Sequence, residues 1–183
     1  MRWVRRVLAV LIALPLLALI GLLLAGQREG AGRNTERLAI ARPPSQVYRH
    51  LVSPDLLRKW TGFAEIEVLG SAEVREGSRL RLVSEARGQR TSMEAEVTGA
   101  EPDRSLTLVV RTAPGSSVSF TQRWEYRLSE RSGDTRLAVT SDTRYESAAA
   151  RLLEPLITRA AQTQLEITLE RLRVQVEAEP VSR

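Results

Sequence analysis

The chain has 183 residues, 43% of them hydrophobic, which suits one packed core with an appendage. It has no cysteine, one histidine (His50) and one lysine (Lys59) with no glycine-rich loop before it; this excludes disulfides, thiolate metal sites and a phosphate-cradling P-loop. The net charge of +5 is concentrated at the start, where Arg2, Arg5, Arg6, Arg28 and Arg33 face one acid, Glu29; beyond residue 33 basic and acidic residues interleave, so no nucleic-acid partner is expected.

Val7 to Ala25 runs without a charge, about the length that crosses a bilayer core as a helix. The arginines before it place the N-terminus in the cytoplasm and the rest of the chain outside it, periplasmic in a Gram-negative bacterium. A cleaved signal peptide is the competing reading; the length of the run and the lack of a small-x-small site after it favour an uncleaved anchor. The expected division is an anchor over residues 1–26, a linker over 27–34, a folded domain over 35–177 and a frayed tail over 178–183.

The domain opens with a strand over Thr35–Ala41, where Leu38 and Ile40 alternate with Arg37 and Ala39. Pro43 and Pro44 end it and start a helix through Ser45–Val52, and Ser53-Pro54-Asp55 opens a second short helix with serine as its cap. Leu56, Leu57 and Trp60 form the buried side of that second helix. From Phe63 the period changes to two, predicting strands at 63–70, 78–86, 90–99, 105–112, 118–129 and 135–145. The turn residues between them imply an antiparallel meander with one buried face. That face includes Leu80, Leu82, Met93, Ala95, Val97, Val118, Phe120, Gln122, Trp124, Tyr126, Leu137, Val139 and the polar Ser141.

Ala148 to Glu177 reads as one long amphipathic helix, with a break near Pro155. Leu153, Ile157, Leu165, Leu169, Leu172 and Val176 recur at helical spacing, and the wheel places Ala160, Ala161, Gln164 and Thr168 at the middle of the same side. A small, polar centre among aliphatic residues predicts space beneath the helix.

The order of strand, two short helices, six antiparallel strands and a long terminal helix resembles the helix-grip fold of the START-related SRPBCC superfamily, nearest to its polyketide cyclase/dehydrase and lipid-transport-like branch. Ile40 to Trp60, Ser132 to Asp142 and Leu169 to Glu177 carry the likeness, as positions that specify fold more than activity. The resemblance implies an α+β domain in which a curved antiparallel sheet of about seven strands wraps the C-terminal helix around a cavity for an apolar ligand. Here it would be joined to an N-terminal transmembrane helix.

The predicted function is therefore a membrane-anchored module that binds a lipid, quinone or isoprenoid-like molecule, with the membrane as partner through the N-terminal helix. A cyclase- or dehydrase-type enzyme and a partner scaffold with a collapsed cavity are the alternatives. Candidate cavity residues are Trp60, Met93, Phe120, Gln122, Trp124, Ser141, Ala160, Ala161, Gln164 and Thr168, since a few polar groups in an apolar wall are the usual construction of such a site. The polar members equally suit hydrogen bonds among themselves across the helix–sheet interface. His50 reads as a surface or interface residue, no catalytic residue is assigned, and no metal or cofactor is expected.

Overall fold

The computed structural model describes residues 31–70, 74–86, 88–113, 119–146 and 148–180. The apolar run at 7–25, and Val118, lie outside them, and no helix among the described residues is long and apolar enough to cross a membrane. The elements are β1 (Ala31–Ile40), α1 (Pro44–Val52), α2 (Pro54–Thr61), β2 (Glu65–Leu69), β3 (Arg79–Ala86), β4 (Gln89–Glu101), β5 (Ser105–Thr112), β6 (Phe120–Arg131), β7 (Asp134–Tyr145) and α3 (Ala148–Ala178). Every strand pairing is antiparallel, in the order β1-β7-β6-β5-β4-β3-β2.

Local chemistry accounts for the boundaries. Proline occupies the first helical position of both α1 and α2, where its missing N–H has no intrahelical partner to lose. Ser53 makes no side-chain cap; its backbone N–H instead donates to the Arg49 carbonyl, closing α1 as α2 begins. Gly62 ends α2 in the left-handed conformation, φ 80°, that glycine adopts without strain. Ser132 and Gly133, both at positive φ, make the two-residue turn between β6 and β7. A bulge between Val97 and Gly99 bends β4 and adds to the curl of the sheet.

In an antiparallel pair, residues directly opposite share a face. The pairings Leu38 with Leu137, Leu137 with Leu128, Leu106 with Tyr126, and Leu80 with Ala95 therefore define one inner face. Against it lies α3, which runs parallel to β1. Thr158 sits against Gly32, Gln162 donates to Glu36 (3.1 Å), and the Ala41 N–H donates to Glu177 (2.9 Å). Nineteen helical and nine strand residues both cover roughly 30 Å, so the two elements stay in step.

Two expectations are corrected here. The helix continues through Pro155 without a break. Pro155 is exposed and leaves only the carbonyl four residues back without its usual donor. Of the expected tail, Glu179 and Pro180 are held in place, and residues 181–183 lie outside the described residues. Arg42 donates to the carbonyl of Glu179 (2.8 Å) and to that of Glu177, Gln46 to that of Pro180 (3.2 Å), and Arg49 pairs with the Glu179 carboxylate.

The core gathers at the α1–α2 end of α3. Leu165, Leu169, Leu172 and Val176 pack there with Val47, Leu51, Trp60, Leu106, Leu128, Leu137 and Val139. His50 is interior, at 1% exposure, rather than at the surface. Its Nδ1 donates to the Gln46 carbonyl (3.0 Å), and Nε2 lies 3.4 Å from Glu179, so the docked chain end covers it.

Candidate functional site

At the opposite end of α3 the inner face is incompletely covered. Phe120, Gln122 and Trp124 on β6, Leu108 on β5 and Met93 on β4 all point inward, yet all remain partly exposed. The flank of α3 that carries Thr158 and Gln162 faces β1, so the other flank, with Ile157, Ala161, Gln164 and Thr168, looks toward these strands. The space between that flank and β4–β6, bordered by these partly exposed side chains, is the candidate cleft.

Its polar groups are few and mutually engaged. Gln122 Nε2 donates to Ser141 Oγ at 2.7 Å, a link between β6 and β7 at the floor of the cleft, where Ser141 is 1% exposed. Gln164 Nε2 donates to Thr168 Oγ1 at 3.3 Å one turn along α3. Both bonds satisfy amides that apolar surroundings would otherwise penalise, and a primary amide retains a second N–H and a carbonyl with which to orient a ligand. Trp124 stacks on Tyr126, ring centroids 6.2 Å apart and planes 13° from parallel, which holds the indole flat along the wall. Burial raises the Tyr126 phenol far above the usual tyrosine range and keeps it neutral. Tyr145, paired across from Phe120, is raised chiefly by burial; a hydrogen bond with Thr158 opposes this and the Glu154 charge adds to it.

The predicted site residues divide into three groups. Met93, Phe120, Gln122, Trp124 and Ser141 come together on the cleft floor, with Ala161 and Thr168 on the helix above. Trp60 is not brought to it. Its ring is 1% exposed in the core, and Nε1 donates to the His50 carbonyl (3.1 Å), so it fastens α2 to α1. Ala160 and Gln164 are exposed, Gln164 at the rim and Ala160 turned farther toward solvent. The centre of the buried side is instead Leu165, Leu169, Leu172 and Val176, and the small, polar set lies to one side of it.

Leu108 and Ile157 line the cleft and were absent from the sequence-based set. The run Leu108-Val109-Val110 is apolar on both faces of β5, so alternation does not single out Leu108; the helical spacing marked Ile157 as apolar, but that pattern does not separate a wall residue from a core residue.

Along the inner face from Met93 to Ala100, Leu106 to Thr112, Phe120 to Leu128 and Thr135 to Tyr145, every side chain is apolar, an amide, a hydroxyl or a phenol. Among the described residues no cluster of three or more metal-ligating side chains occurs. Two other concavities, of about 470 and 490 Å³, lie outside the cleft. The first crosses the β1–β7–β6 edge beneath Arg37, Arg127 and Arg136; the second is at the turn formed by Pro102 to Arg104. Neither has the aromatic wall of the cleft.

A sequence model of the family described as Activator of Hsp90 ATPase homolog 1-like protein matches residues 41–177, most of the folded domain. The chain belongs to this family. The Activator of Hsp90 ATPase homolog 1-like domain is a member of the SRPBCC superfamily, which agrees with the likeness carried by Ile40 to Trp60 and by the terminal helix. No curated protein sequence matches the chain. Among solved structures it is similar to a conserved protein from Geobacillus kaustophilus (TM-score 0.66, 14% identity, covering 80% of this chain and 94% of that one). It is also similar to a protein from Chromobacterium violaceum (TM-score 0.62, 19% identity, 80% and 99% covered) and to one from Rhodobacter sphaeroides (TM-score 0.60, 23% identity, 81% and 94% covered). At these identities the likeness is one of fold.

Proposed function

We propose that this Activator of Hsp90 ATPase homolog 1-like domain is a binding module for a hydrophobic small molecule of the lipid, quinone or isoprenoid class. In this reading the segment 7–25 tethers it to a membrane with the domain on the extracytoplasmic side. The observation that carries the reading is the partly exposed inner face of β4–β6. Phe120, Trp124, Leu108 and Met93 remain partly accessible where a closed core would bury them, beside the polar link Gln122–Ser141. Covering apolar surface of this kind yields about 25 cal/mol per Å², so a ligand that fills the cleft gains most of its affinity from shape and burial. The amide of Gln122 then selects among ligands by one or two hydrogen bonds.

Native mass spectrometry of the chain from Gly30 onward, purified without detergent, is expected to show a co-purifying apolar species or uptake of fluorescent fatty-acid or quinone probes. Trp124→Ala should weaken that uptake by roughly tenfold, in line with losing one large aromatic contact. A domain that purifies empty and takes up neither probe overturns the reading. A reporter fused after Arg183 that is active in the cytoplasm overturns the orientation.

A further inference from the structure

Of the five large hydrophobic side chains that are exposed among the described residues, four lie on α3: Leu153 (50%), Leu156 (69%), Ile167 (45%) and Val174 (58%). They are not scattered. With Ala160, Thr163 and Glu170 they occupy 153, 156, 160, 163, 167, 170 and 174, the alternating three- and four-residue spacing of a heptad seam, and all seven positions are exposed. Leu165, Leu172, Leu169 and Val176 fill the opposite side and belong to the domain's own core. The helix therefore carries two stripes, one buried in its own domain and one facing outward.

We propose that the outward stripe is the interface with a second copy of this chain, the two α3 helices lying side by side and parallel. The carboxylates Glu166 and Glu170 select this occupant over a lipid surface. An interfacial helix flanks its apolar side with lysine and arginine, whereas this stripe is flanked by Glu166 as well as Arg159, Arg171 and Arg173, and has Glu170 within it. In a parallel pair, Glu166 of one protomer falls opposite Arg171 of the other, five residues on, which is the attractive pairing across such a seam. An antiparallel pair sets Glu166 against its own copy and Arg159 against Arg173. Glu170 is already partnered by Arg173 of the same helix, so its place in the seam does not leave a lone carboxylate there.

The parallel arrangement also suits the tether of the proposed function, on which this part of the argument rests. Both copies would enter one bilayer from the Ala31 end of β1, beside the first turns of α3. The seam spans only about 32 Å and three of its seven residues are not large apolar groups, so its strength depends on confinement in the membrane.

The absence of native cysteine makes the test direct. In phosphatidylcholine vesicles carrying the full chain, Ile167→Cys is expected to form disulfide-linked dimers well above a Leu69→Cys control, an exposed leucine on β2. In a mixture of protein with Leu153→Cys and protein with Val174→Cys, each should cross-link with its own copy but not with the other; a cross-link between 153 and 174 means that the pair is antiparallel, and the proposal falls. Glu166→Arg in the Ile167→Cys background should lower the yield about two- to fivefold, the scale of one exposed ion pair, and adding Arg171→Glu should restore it. A yield no higher than that of Leu69→Cys overturns the proposal, as does quenching by brominated lipid of a fluorophore attached to Leu156→Cys. Release of the chain by carbonate wash counts against the tether alone. Retention of the apolar probe by Ile167→Asp keeps the cleft reading separate from the seam.

Discussion

From Leu165 to Val176, α3 presents Leu165, Leu169, Leu172 and Val176 to the core at 0–4% exposure, whereas from Leu153 to Gln164 the residues of the same helix that face the sheet, Ile157 and Ala161, stay partly exposed. Both halves carry leucine and isoleucine, and both run along β1. They differ in what closes the far side. At the C-terminal half, α1 and α2 fill the space between helix and sheet, with Glu179 and Pro180 docked against α1 from outside. At the N-terminal half no such layer of described residues lies between α3 and β4–β6, and Trp124, Phe120 and Met93 stay partly accessible. Side-chain hydrophobicity alone does not close a core; a third layer does, and where it is missing a curved sheet and its helix form a cleft.

The comparison can be broken by measurement. Leu172→Ala, at a fully buried position, is expected to cost about 3–5 kcal/mol in urea denaturation, through lost burial and the cavity left behind. Ile157→Ala, on the partly exposed flank beside the cleft, should cost about 1 kcal/mol, since only part of that side chain is buried. Similar losses at both sites would mean that the two halves are equally packed.

A smaller effect tests how α3 is seated at the open end. A Cβ at position 32 would meet Thr158 Oγ1, so Gly32→Ala should destabilise by about 1–3 kcal/mol. Thr158→Ala in the same chain should recover most of the loss, as expected of two residues in contact. An additive double variant would separate Gly32 from the helix seat.

The third test is silent at neutral pH. Burial raises the Tyr126 phenol pKa in the folded state, so its contribution is fully present below about 10, the ordinary value, and is lost as pH rises through the folded value. Stability should therefore decline above about pH 10, and Tyr126→Phe should flatten that decline. An unchanged alkaline limb in the variant would assign the decline to other groups.

Much of the sheet was legible because alternation is a local signal. Strand β5 coincides with its prediction at Ser105–Thr112, and the inward facing of Gln122, Trp124 and Ser141 follows from the period of two once the turns are placed. Strand β1 starts at Ala31, four residues before the predicted Thr35, because Ala31-Gly32-Arg33-Asn34 has the composition of a linker. Its pairing with β7 and the fit of Gly32 beneath Thr158 hold it in the sheet. On α3 the wheel merged two apolar stripes into one face. Leu153 and Ala160 belong to the outward stripe and Leu165 and Leu169 to the inward one, so the averaged direction placed Gln164 and Thr168 at the centre of the buried side, when they flank it.

By itself the sequence determined the order of elements, the strand faces and the existence of one long amphipathic helix, because these depend on neighbours within a few residues and on spacing. Only the tertiary structure decided that Trp60 belongs to the core, that His50 is interior, that Glu179 and Pro180 dock on α1, and that the N-terminal half of α3 stands over an open cleft. The contacts of Arg42 and Gln46 with the chain end join residues more than 130 positions apart. Periodicity reports which way a side chain faces relative to its own element. Whether anything lies opposite depends on how the sheet curves and where α1 and α2 come to rest.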